Sequence, residues 1–161
     1  MKRRPFIALA IGALFVSGCG ENNQPENPAE LSHRDMTRDE AEKLMKRYVT
    51  CFSVSQMLKD KQNEIIEIST KAGAHVNLQD HRDAYQMLDR VGTQNLNLQR
   101  ELANSEFGRQ NSDFVSSVTQ DAIAYVLDMR MRYDSYTEID RVKVYTDLFF
   151  FFASDCDLPP S

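Results

Sequence analysis

The sequence predicts an all-α domain. Apolar residues recur at three- and four-residue steps through four stretches, and no apolar–polar alternation persists over five residues. The 161 residues hold only six Gly and five Pro, with Pro25 and Pro28 near the N-terminus, so turns are too few for a meandering sheet. Four amphipathic stretches with short connections favour an antiparallel four-helix bundle whose outer faces carry the charge. The bundle is expected over 37–161, set apart from segments 1–18 and 19–36.

The first segment begins Met-Lys-Arg-Arg-Pro, continues with an apolar run from Phe6 to Val16, and ends in small residues. This order is that of a secretory signal. Eleven helical residues span only about 16 Å at ~1.5 Å per residue, short of a hydrocarbon core of ~30 Å, so a signal is expected and not a permanent span. Val16-Ser17-Gly18-Cys19 resembles the lipobox of bacterial lipoproteins, a likeness confined to these residues and the signal before them. The resemblance implies that the Cys19 thiol is joined to diacylglycerol, that cleavage falls between Gly18 and Cys19, and that the freed amine is acylated. Gly20, and not Asp, follows the cysteine, which in that class implies the outer membrane, on its periplasmic side. Each buried methylene contributes about 0.8 kcal/mol, so two or three chains hold a protein firmly without any other membrane device.

Loss of Lys2, Arg3 and Arg4 with the signal changes the formal charge from −5 to −8, with sixteen bases against 24 acids. Nucleic acid is therefore an unsuitable partner, and a basic protein surface a favoured one. From Gly20 to Met36 the chain reads GENNQPENPAELSHRDM, with Ala29, Leu31 and Met36 as its apolar residues. That is too little apolar surface to offset ordering, so a flexible linker is expected, with a reach on the order of 20–25 Å.

Thr37 and Glu40 have the spacing of a capping box. The stripe that follows is Ala41, Leu44, Met45, Tyr48, Cys51, Phe52, Met57 or Leu58, Ile65, Ile66 and Ala72. The polar run Lys59–Glu64 leaves open one long helix or a break there, and one long helix is expected, to a cap at Gly73. Asp80 with Asp83 offers the next N-terminus, before Ala84, Tyr85, Leu88, Val91, Leu96, Gln99 and Leu102, in a helix that stops near Gly108. Asn111 or Ser112 starts the third, through Phe114, Val115, Val118, Ala122, Tyr125, Val126, Met129 and Tyr133. Thr137 opens the fourth, which carries Ile139, Val142, Tyr145, Leu148, Phe149 and Phe152, with Cys156 one turn further along the same face.

With Cys19 assigned to lipid by the resemblance, Cys51 and Cys156 remain, and outside the cytoplasm an even pair is expected to be bonded. The bridge would close a loop of about a hundred residues, for which the chain-entropy model gives roughly 4–5 kcal/mol. A redox or catalytic pair has little support, because there is no Cys-x-x-Cys and neither cysteine has a His nearby in sequence.

Chemical motifs are sparse. His75 and His81 with Asp80 and Asp83 lack metal-site spacing, and neither Glu-x-x-His nor His-Glu-x-x-His occurs. The macrodipole accounts for acids at a helix N-terminus. Cys-x-x-Cys-His, the covalent haem signature, is absent, and Met45, Met57, Met87 and Met129 sit where core filling would put them. Ser116 and Ser117 lie in neither a nucleophile elbow nor a Ser-x-x-Lys motif. No catalytic residue, metal or non-lipid cofactor is therefore assigned.

The run Leu148-Phe149-Phe150-Phe151-Phe152 is the exception. Successive helical residues point about 100° apart, so five bulky side chains cannot share one face. Phe150 or Phe151 is expected off the core stripe, either covered by the first helix or the linker or exposed as a partner-binding patch. Leu96 with Leu98 poses the same question on a smaller scale. The expected function is that of a non-enzymatic, lipid-anchored envelope protein binding another envelope protein, as an adaptor, assembly factor or toxin inhibitor. A small-molecule or haem carrier, and a cell-wall or lipid hydrolase, are the alternatives.

Overall fold

Thr37 and Glu40 form the reciprocal cap that their spacing predicts. The Glu40 amide donates to Thr37 Oγ1 at 3.3 Å and the Thr37 amide to Glu40 Oε2 at 2.9 Å. Two otherwise orphaned donors are thereby satisfied at the start of the longest helix. The computed structural model describes residues 36–157. Signal 1–18, Cys19 and the linker up to residue 35 lie outside the described residues.

Helix α1 spans Arg38–Lys71 without a break. Its cap residue is Ala72, and Gly73 then takes φ 78°, a left-handed conformation open to glycine because it has no Cβ. Helix α2 spans Leu78–Asn104. It starts earlier than Asp80 because the Asn77 carboxamide accepts from the Gln79 amide at 3.0 Å, leaving Asp80 in the first turn, where the macrodipole favours it. Ser105 caps a short α3, Glu106–Gln110, and Asn111 precedes α4, Ser112–Ser135. Thr137 accepts from the Asp140 amide at the head of α5, Glu138–Phe151. The chain then widens into a π-helical turn, Phe152–Cys156. Among the described residues there is no strand, so the all-α expectation holds, with α3 as an addition that periodicity did not reveal.

Two apolar clusters lie along α1. Near its N-terminal end, Met45, Tyr48 and Val49 pack with Leu98 and Leu102 of α2 and Val115, Val118 and Ala122 of α4. Further along, Val54, Met57, Leu58 and Ile65 pack with Leu88 and Val91 of α2, Tyr133 of α4, Tyr145 of α5 and Phe152. Residue numbers fall along α2 as they rise along α1, and they rise along α4. Cross-links at α5 run the opposite way again, with Glu64 against Arg141 and Cys51 against Cys156. Helix α1 is thus the element on which α2, α4 and α5 all pack.

The polar run in α1 is explained by this position. Lys59 pairs with Asp89 of α2, Asp60 with Arg130 of α4, Lys61 with Asp134 of α4 and Glu64 with Arg141 of α5. Gln62, 6% exposed, donates to the His81 carbonyl at 2.6 Å. A stretch that looks like a solvated break is a collar of links from one helix to its three neighbours. Arg141 adds two bonds to the carbonyls of Asp134 and Tyr136, at 2.6 and 3.0 Å, and so fastens the α4–α5 turn onto α1.

Four positions assigned to the core are exposed instead: Ala72, Tyr85, Tyr125 and Ile139. Ala72 serves as the α1 cap, Tyr85 lies under the Lys59 ammonium at 5.0 Å, and Ile139 sits in the first turn of α5, before its buried stripe begins. Tyr125 points within about 20° of Val118 but about 60° from Ala122 and 100° from Val126 at 100° per residue, at the edge of the covered arc. Leu98 is buried and Leu96 half-buried. Among the described residues, no helix is long and apolar enough to cross a membrane.

Candidate functional site

Four neighbouring features meet at the C-terminal end of α5. The stripe Tyr145, Leu148, Phe149 and Phe152 turns inward, with Tyr145 and Phe152 buried. The π-helical turn carries that stripe on to Cys156, which is fully buried. Its sulfur is bonded to Cys51 of α1, with Cα atoms 5.6 Å apart and 105 positions between them in sequence, so the expected staple is present. Phe150 and Phe151 are left on the outside, 66% and 41% exposed.

Both phenylalanines therefore lie off the core stripe, Phe150 the more open of the two and Phe151 partly covered. Phe151 borders an open groove of about 580 Å³ that runs past the disulfide between α1 and the π-helical turn. Lys46, Arg47 and Thr50 line one wall, with Ser154 and Asp155 across from them. Arg47 closes one end, donating through Nε and Nη2 to the Asp155 carbonyl at 3.0 and 2.7 Å. Lys46 pairs with Glu42 one turn earlier on α1. Its hydrogen bond to that carboxylate, more than the charge itself, holds the ammonium pKa above its ordinary value.

Both cations of the groove thus have partners within the chain, Lys46 a carboxylate and Arg47 an uncharged backbone carbonyl that leaves its charge uncompensated. The exposed surface here is aromatic, with a rim of hydrogen-bonded polar and charged groups. The π-helical turn contributes by letting Phe152 and Cys156 face inward in succession while Phe151 stays at the groove.

Sequence reasoning singled out Cys51, Cys156, Phe150 and Phe151, and the fold gathers all four at one end of the molecule. The basic rim of Lys46 and Arg47 was missed, since both lie on the exposed side of a helix more than a hundred residues away in sequence. Cys19 lies outside the described residues. His75 is exposed and His81 partly buried, which lowers the pKa of the His81 imidazole because burial disfavours its charge. Among the described residues, no group of three or more His, Cys, Asp or Glu side chains is placed to share a metal ion. No family matches this chain, and no curated protein or solved structure matches it either.

Proposed function

We propose that the chain is a non-enzymatic, lipid-anchored protein of the bacterial envelope that binds another envelope protein through the edge formed by Phe150 and Phe151. The observation that carries this reading is the exposure of two consecutive phenylalanines beside the groove at the stapled end of the domain. Burial of such side chains contributes about 25 cal/mol per Å² of apolar area removed from water, so a partner gains most by covering them. The disulfide supports an oxidising compartment. That agrees with export by the signal of residues 1–18 and attachment through Cys19 to the outer membrane, facing the periplasm.

The excess of acids over bases favours a basic partner by raising the encounter rate, while the aromatic edge supplies the contact. An adaptor, an assembly factor and an inhibitor of an incoming toxin all fit these requirements. For the scaffold we read an up-down-up-down four-helix arrangement of α1, α2, α4 and α5. The opposed residue order of α1 against α2 and α5, with α4 alongside, supports it.

Two measurements test the reading. Intact mass of the protein from membranes should show a chain beginning at Cys19 and carrying diacylglycerol; a water-soluble chain beginning at Met1 with three free thiols overturns the anchor. A photoreactive residue placed at 150 in intact cells should crosslink to one defined protein, and one at exposed Lys43 should not. Phe151→Ser should abolish that crosslink while the helical signal persists. Equal crosslinking from both positions, or none from 150, overturns the docking edge.

A further inference from the structure

The π-helical turn Phe152–Cys156 brings Ser154 and Asp155 to one wall of the groove beside Phe151. Turns of this width are rare and occur mostly as single turns, so the groove depends on what ties this one down. Four ties do so. Arg47 of α1 donates to the Asp155 carbonyl at 3.0 and 2.7 Å, Asn95 of α2 donates to the Cys156 carbonyl at 3.1 Å, Arg90 of α2 pairs with Asp157 at 3.2 Å, and the Cys156 sulfur is bonded to Cys51 of α1. Arg47 and Arg90 are exposed, and exposed charged contacts hold weakly. The sulfur bridge outweighs each of the other three. We propose that this bond gates the docking edge: until Cys51 and Cys156 are oxidised the turn stays open, and the groove beside Phe150 and Phe151 is not assembled. The proposal rests on the docking role read above and adds its regulation.

Closing the gate takes two electrons and two protons from the two thiols. A disulfide-bearing oxidant accepts them and leaves as a dithiol. While the thiols stay apart, Ser154 and Asp155 do not form their wall and Arg47 lacks its carbonyl acceptor. Phe152, fully buried in the bonded form, then has no fixed seat in the cluster of Val54, Leu58 and Tyr145. A reducing compartment keeps thiols open and an oxidising one joins them, so the chain acquires its contact surface only after export. Once joined, both cysteines are buried, and a reductant reaches the bond only when the fold opens. The gate closes once and stays closed.

Hydrogen exchange of the full chain, read by mass spectrometry of its fragments, tests the gate without any partner. In the bonded protein the amides of Phe152–Cys156 should exchange as slowly as those around Leu58 and Leu88 in the core. In Cys51→Ala, and separately in Cys156→Ala, they should exchange at least about tenfold faster than those core amides in the same sample. Equal rates for turn and core with the bond removed overturn the proposal, and so does a turn that already outpaces the core in the parent. Crosslinking from position 150 in intact cells then separates the gate from the docking role. Loss of the crosslink in Cys51→Ala supports the gate, and a crosslink as strong as the parent's overturns it. A parent that crosslinks to nothing overturns the docking role, and with it the regulation proposed here, whatever the exchange rates of the turn.

Discussion

The Asn95 side-chain amide donates to the Cys156 carbonyl at 3.1 Å, and to the Val91 carbonyl at 2.9 Å. Asn95 is fully buried on α2, so Cys156 is held twice, by its sulfur to α1 and by its backbone to α2. Asn95→Ala should lower unfolding stability by about 1–3 kcal/mol, since it strands a buried carbonyl. Urea titration should show a lower midpoint with an unchanged slope. A midpoint equal to that of the parent would mean that the π-helical turn does not need this bond.

Reduction of the Cys51–Cys156 bond, or its removal by Cys51→Ala, releases a loop with a sequence separation of 105. The expected loss is about 2–5 kcal/mol, most of it through a less constrained unfolded chain. Denaturation with and without a reductant should resolve it, and Cys51→Ala should make the two curves coincide.

Gly92 of α2 crosses α1 at Ser55 so closely that a Cβ added there would lie 2.9 Å from the Ser55 Cβ and nearer still to its Oγ. Gly92→Ala should therefore destabilise by about 1–3 kcal/mol. Combined with Ser55→Gly it should cost less than the sum of the two single changes, by more than about 0.5 kcal/mol. Strict additivity in that cycle would show that the two helices can part without loss.

The Tyr133 and Tyr145 hydroxyls are buried and have no hydrogen-bond partner among the described residues. Burial, with the Glu64 charge as a lesser cause, pushes the Tyr133 phenol up to about 12; burial raises that of Tyr145 as well. The folded state keeps these protons after the unfolded chain has lost them, so the unfolded chain binds fewer. The stabilisation is fully present below about pH 10, the ordinary tyrosine value, and for Tyr133 is lost as pH rises from there through about 12. Tyr133→Phe should flatten that alkaline loss, and at pH 7 it should cost nothing or add up to about 1 kcal/mol. Thermal melts at pH 7 and pH 11 check both signs.

Features written within a few residues of one another were legible in the sequence. The Thr37–Glu40 box, the Thr137 start and the Gly73 turn each depend on neighbours three residues apart or on one backbone angle. The outward placement of Phe150 and Phe151 follows from the impossibility of facing five consecutive bulky residues inward. The collar on α1 was illegible because Lys59, Asp60, Lys61 and Glu64 find their partners on α2, α4 and α5. In one dimension such a run is indistinguishable from a wet helix face. Tyr125 and Ile139 were assigned inward because periodicity gives a direction but not the width of the covered arc. That width is narrow on helices that pack mainly against the single helix α1.

From Cys51 out through α2, α4 and α5 to Cys156 and back across the sulfurs, the molecule is a closed covalent ring. A protease that severs the peptide near Gly73, in the link between α1 and α2, opens the ring without freeing a fragment. Every piece stays captive beside its neighbours, and only a second scission lets anything diffuse away.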